Sequence, residues 1–162
     1  RRAAAAAGLA RARGRAARQS SIGPPAAADA APPAAPGAVN GRIRGTAQSR
    51  TRNEDGPWWQ VDLGTRARLH EVRVFGPCPP SAARLDRFTI ETSSDGARWV
   101  TQAVKRDPLR VGGVDAAPFW WRAGAGPVPA RHLRIRRPGT GELCLDQVQV
   151  YGEPAAPGGS GA

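Results

Sequence analysis

Through the middle of the chain apolar and polar residues alternate in short runs, each closed by a turn signal. In GPWWQVDLG, residues 56–64, Trp59, Val61 and Leu63 fall on one face and Trp58, Gln60 and Asp62 on the other. A period of two marks a strand with one buried face, whereas a helix would space its apolar residues three or four apart. Gly56-Pro57 sets the turn before it, because glycine tolerates unusual dihedrals and proline pre-sets φ. The next run, RLHEVRVFG, sets His70, Val72 and Val74 against Glu71 and Arg73 and stops at Gly76-Pro77. RFTIETSSDGARWVTQAV predicts a hairpin: Phe88, Ile90 and Thr92 share a face, Asp95-Gly96 makes the turn, and Trp99 leads the return strand as a core residue. Further strands are predicted at 118–122, 132–136 and 145–151. Within Phe119-Trp120-Trp121 the middle ring must point away from its neighbours, which places one large aromatic at the surface. No convincing amphipathic helix lies between these runs, so the pattern predicts an all-β sandwich or barrel.

The flanks follow a different pattern. Residues 1–37 are built from Ala, Arg, Pro and Gly with almost nothing large enough to bury, which predicts a disordered tail or linker. Arginines without acidic neighbours over residues 1–19 also fit a transient helix or the remnant of a targeting peptide. Residues 38–153 form the expected domain, and 154–162, EPAAPGGSGA from Glu153 onward, read as a flexible tail. The 162 residues contain no methionine, which suggests a processed chain, a fragment or an internal module.

Composition then narrows the chemistry. The net charge is +11, of which the segment to Ala38 carries +5 and the remainder +6. Such a balance can attract anionic polymers, but zinc-ligand spacing, an RNP-like aromatic run and a recognition helix are all missing, so nucleic acid is not the expected partner. No apolar run approaches the roughly 20 residues a membrane span requires. The two histidines, His70 and His132, lie in strand patterns outside any nucleophile elbow, HExxH or phosphate-loop context, so no enzyme is expected. Cys78 and Cys144 lie in turns that can meet at one end of a sandwich; a single disulfide and two free thiols both fit.

The ordered series VNG, PWWQVDLG, LHEVRVFG, FTIETSSDGARW, ARHLRIRR and LDQVQVYG resembles the discoidin or coagulation-factor type-C superfamily over residues 38–152, and within it the F-type lectin (fucolectin) branch. The resemblance implies an eight-stranded jelly-roll β-sandwich, galactose-binding-like, that binds ligands with loops at one end. F-type lectins hold fucose with a His, an Arg-x-Asp and a further basic residue. Here the His position is Arg50, the Arg-x-Asp positions fall on Pro77 and Pro79, and Arg84 keeps its basic character. The expected carbohydrate-binding set is therefore Arg50, Arg52 and Arg84, suited to an anionic glycan, with Trp58 either stacking on a sugar ring or packing at the start of its strand. The resemblance also implies a structural calcium near the chain ends. Its positions are Asn40, Asp146 and Gln147, where two carboxylates have become amides, so any site should be weak. The expected function is a non-catalytic lectin-like or adhesion module for anionic or fucosylated glycans, extracellular or on a cell surface. The alternative is a protein-interaction or structural module, including one in an intracellular assembly.

Overall fold

The alternation that opens at Trp58 continues for 18 residues and forms the spine of the molecule. A computed structural model describes residues 9–155. Its strands are β1 (Leu9–Ala10), β2 (Ala17–Gln19), β3 (Ser49–Arg50), β4 (Glu54–Asp55), β5 (Trp58–Phe75) and β6 (Phe88–Ser93), then β7 (Val100–Lys105), β8 (Phe119–Arg122), β9 (Val128–Arg136), β10 (Thr140–Gly141), β11 (Cys144–Leu145) and β12 (Gln147–Pro154). Short 3-10 turns occupy Ala35–Val39 and Ser81–Leu85.

β5 absorbs two of the predicted strands by bending rather than stopping between them. From Trp58 to Asp62 it pairs with β9 on one edge and, over Trp59–Val61, with β2 on the other; from Ala67 it pairs with β12 and, through Leu69, with β9 again, then over Glu71–Val74 with β8. The register shift between Asp62 and Ala67 marks the bend. β6 extends the sheet from β9 and β7 extends it from β6, so eight antiparallel strands join into a jelly-roll sandwich with β5 in both layers. The core lies between the layers: Trp59, Val61, Phe88, Ile90, Leu133 and Ile135 meet Leu69, Val72, Val74, Val148 and Val150. Trp59 is fully buried, and its indole N–H donates to the Ala35 carbonyl at 3.0 Å. Truncating a ring so placed costs about 3–5 kcal/mol.

The structure corrects the N-terminal reading from Leu9 onward. β1 adds to the edge of β12 and β2 to the edge of β5, so strand pairing gives backbone hydrogen bonds to a segment with few large side chains to bury. Ala12, Ala35 and Ala38 are buried because their small size permits close approach. Gly23 and Gly37 lie still closer: a Cβ on either would sit 2.5 and 2.2 Å from the carbonyl oxygens of Thr51 and Gln48. What composition presented as a linker is a strap of small residues. The flexible tail expected over 154–162 lies outside the described residues except for Pro154, which ends β12, and Ala155.

The aromatics divide as the alternation requires, with one exception. Trp120 is 49% exposed, while Phe119 and Trp121 pack against the core. Trp99 is not a core residue: it lies half-buried on the outer face with Arg134 stacked 4.1 Å from its ring centroid and His132 beside it. The turn accounts for this, since Asp95 accepts the N–H groups of Ala97 and Arg98 and the strand resumes only at Val100.

Candidate functional site

Two short ladders assemble the loops at one end of the sandwich. β3 pairs with β11, placing Arg50 opposite Cys144, and β4 pairs with β10, placing Glu54 opposite Gly141. Together they bring residues 49–55 alongside residues 140–145 and set Glu142 beside Arg50. Arg50 grips that carboxylate with both ends of its guanidinium, Nε to Oε2 at 2.6 Å and Nη2 to Oε1 at 3.2 Å. Arg84, from the second 3-10 turn, brings its Nε within 3.2 Å of the same Oε2.

The carboxylate is 19% exposed. Its hydrogen bond from Arg50 holds Glu142 below the ordinary carboxylate range, and the same bond raises Arg50. Arg137 joins from the end of β9, donating from Nη1 to Asp86 at 2.7 Å, while its buried Nε has no partner among the described residues. Asn53, Pro80, Arg84, Arg137 and Glu142 line a cleft of about 290 Å³. A wider cleft of about 760 Å³ adjoins it, between the N-terminal strap at Pro24 and Pro33 and the loops carrying Gln48, Arg50, Pro77 and Ser81.

Of the four residues expected to bind carbohydrate, the structure brings two together. Arg50 and Arg84 converge, but on Glu142 rather than on open solvent. Arg52 is exposed and turns to the strap, where its Nε donates to the Ile22 carbonyl at 3.2 Å. Trp58 sits half-buried on the outer face of β5, its backbone N–H donating to Ser20 Oγ, and lines neither cleft. Glu142, Asn53 and Arg137 escaped sequence reasoning. The glycines around Glu142 signal a turn, but nothing in GTGEL signals that its acid meets two arginines from distant loops. Pro77 and Pro79 bring no polar group to the positions where the F-type pattern has Arg and Asp.

The expected calcium residues are also assembled, in a second cluster next to the first. The fully buried Asp146 carboxylate accepts the backbone N–H of Arg44 and of Gly45, the latter at 2.7 Å, and the Gln48 amide at 2.7 Å. Gln147 points its Nε2 at the Asn40 side-chain oxygen (3.1 Å) and the Gly37 carbonyl (3.1 Å). A cation needs those oxygens turned to itself, and here amide N–H groups point at them. Calcium does not fit this donor arrangement.

Cys78 and Cys144 are free thiols, so of the two arrangements the sequence left open the structure holds the unbridged one. Burial pushes the Cys144 thiol up to about 11.

A family model described as a NedA-like, galactose-binding domain of the F5/F8 type C class matches residues 37–119. Solved structures agree with the fold. A fucose binding module of Streptococcus pneumoniae, SpX-3, superposes with a TM-score of 0.69 at 19% identity, over 88% of this chain and 97% of that one. The lectin domain of lectinolysin complexed with Lewis B antigen gives 0.64 at 25% identity, over 89% and 95%. A serum fucolectin of the striped bass Morone saxatilis gives 0.72 at 21% identity, over 89% of this chain and 48% of that one. No curated protein sequence matches.

Proposed function

The chain belongs to the F5/F8 type C family of galactose-binding domains, and on that footing we propose that it is a non-catalytic glycan-binding module whose site is the Glu142 cleft. The observation that carries this reading is the mixed polarity of that cleft: an ionised acceptor, Glu142, is flanked by the donors Arg84, Arg137 and Asn53 in a recess about 290 Å³ in volume. Vicinal sugar hydroxyls each donate and accept, so a charged acceptor ringed by charged donors suits them. Because both Arg50 and Arg84 are paired with Glu142, the arrangement favours a neutral, hydroxyl-rich ligand over the sulfated or carboxylated glycan that three free arginines would suggest. Fucosylated and galactosyl glycans are the first candidates, since the similar structures include a fucose binding module and a lectin domain complexed with Lewis B antigen. A secreted or cell-surface setting belongs to this reading. No helix among the described residues is long and apolar enough to cross a membrane.

A glycan array on the wild-type domain, followed by titration of the best ligand against Glu142→Gln and Arg84→Ala, tests the proposal. Selective binding weakened tenfold or more by Glu142→Gln supports it; an array without binders, or a ligand indifferent to both changes, overturns it.

A protein-docking role is the second reading, favoured by the outer face of the other layer. There Trp120 is half exposed, Arg73 and Arg122 lie 4.8 and 4.6 Å from its ring centroid, and Arg73 also stacks on Tyr151. Trp, Tyr and Arg are the residues enriched at binding hot spots.

A further inference from the structure

The amide nitrogen of Gln147 is surrounded by oxygens. Besides Gly37 O and Asn40 Oδ1, it lies 3.2 Å from the Arg42 carbonyl and 3.0 Å from the Asp146 carbonyl. Gln48 brings a second amide nitrogen to the same group, 2.5 Å from Arg42 O, 2.9 Å from Asp146 O and 2.7 Å from Asp146 Oδ1. Both amides therefore share two carbonyl oxygens, and the loop from Gly37 to Gln48 is drawn onto the start of β12.

The orientation of Gln147 is fixed by its other end. Its Oε1 accepts the Gly41 N–H at 2.7 Å. Turning the amide over would set an oxygen against four oxygens and an NH2 against an N–H, so only one orientation is tolerable. Even in that orientation acceptors outnumber donors, because a primary amide carries two N–H groups and four oxygens face it. Four protein oxygens around one point, with a fifth available from residue 147, are the beginning of the six to eight that a hard divalent cation gathers.

We propose that the Gln147 and Gln48 amides stand in for a divalent cation, making this clasp metal-independent, and that residue 147 alone decides the outcome. A glutamate there would keep one oxygen on the Gly41 N–H and turn the other, with its charge, toward the oxygen cage. Two amide protons would be lost and a negative charge gained at the centre of four acceptors. The cage would then require a cation of the calcium class. This inference does not rest on glycan binding, and its test does not use a glycan.

The test compares thermal unfolding of wild type and Gln147→Glu in millimolar CaCl2 and in EDTA, with calorimetric calcium titration of both. The expected result is that wild-type melting temperatures coincide within about 1 °C and no heat of binding appears. Gln147→Glu should melt well below wild type in EDTA, recover by 5 °C or more in calcium, and bind one ion with a Kd on the order of 10⁻⁴ M. Calcium stabilisation of the wild type overturns the proposal, because the amides would then not fill the cage. So does a Gln147→Glu protein that melts at the same temperature in both buffers, or that stays unfolded in both. Gln48→Ala provides a further check: it removes an amide without adding charge, so it should lower the melting temperature equally in calcium and in EDTA, and a calcium-dependent difference counts against the proposal.

Discussion

Two polar clusters sit side by side on the same two stretches of chain and are built on opposite plans. Gln48 and Arg50 are two residues apart in the earlier stretch, and Glu142 and Asp146 are four apart in the later one. In the clasp, an exposed loop closes over buried Asp146 and Gln147, and the Gln48 and Gln147 amides and the Gly41, Arg44 and Gly45 N–H groups all donate to oxygens within the chain. In the Glu142 cleft, Arg50 and Arg84 pair with Glu142 and Arg137 pairs with Asp86, all in pairs that still reach solvent, and the buried Arg137 Nε has no partner among the described residues. A buried polar group left unsatisfied costs about 1–3 kcal/mol, so a cluster whose buried donors are all spent within the chain belongs to folding. One that is charged, recessed and incomplete has bonding capacity left for a ligand.

The largest effect expected from this contrast is on stability. Asp146→Ala leaves three donors, the Arg44 and Gly45 N–H groups and the Gln48 amide, without their carboxylate acceptor at a fully buried site and should destabilise the domain by about 3 kcal/mol, read from the urea midpoint. Its folded fraction should still bind glycan with wild-type affinity. Glu142→Gln should do the reverse, losing tenfold or more in affinity while costing only about 1 kcal/mol of stability, since the ion pairs it breaks are partly exposed. If Asp146→Ala abolished binding in folded protein, or Glu142→Gln unfolded the domain, the division between the two clusters would fail.

The frame of these clusters was largely legible in the sequence, because burial on one face imposes a period of two that nothing else in the chain imitates. β6, β8, β9 and β12 arose from that signal, β7 from the Asp95-Gly96 turn that pairs it with β6, and β5 as two halves. The strap was not legible: Ala12, Ala35 and Ala38 carry no hydrophobic periodicity, and they are buried because they are small enough for backbones to meet. The site was half legible. Arg50 and Arg84 could be placed from the family pattern, whereas Glu142 and Arg137 reach them only through the β3–β11 and β4–β10 ladders, two residues each and too short to leave a pattern. The clasp residues Asn40, Asp146 and Gln147 were found as a set, but whether amide donors or a cation would fill the cage depends on hydrogen-bond direction, which a sequence does not display.

A smaller effect should come from pH. Arg50 holds Glu142 below its ordinary 4.5, so the pair's contribution is complete above that value and is lost as pH falls through the lower, folded one. Asp62, held down to about 2 first by its hydrogen bond from Arg131, and Asp95, held to about 2 by the Arg98 and Ala97 N–H groups, follow the same sign. Urea midpoints should therefore be flat from pH 8 to 5 and decline toward pH 2. Glycan affinity should follow Glu142 and fall only below pH 4.5. Affinity already falling near pH 6 would assign binding to a different group.

The smallest expected effect separates the clusters by their thiols. Cys144 lies fully buried beneath the Glu142 cleft, opposite Arg50, and its thiol is pushed up to about 11; Cys78 is half-buried against Gly45, in the loop that closes the clasp. Both thiols are raised, Cys78 chiefly by desolvation, so access decides between them: iodoacetamide at pH 8 should label half-buried Cys78 in native protein and leave buried Cys144 untouched until urea is added. Glycan affinity should change by less than twofold on that labelling, since Cys78 touches the clasp loop and does not line the Glu142 cleft. Loss of affinity on modification of Cys78 alone would mean that the ligand extends into the wider cleft, which Cys78 does line, and would join the two clusters into one site.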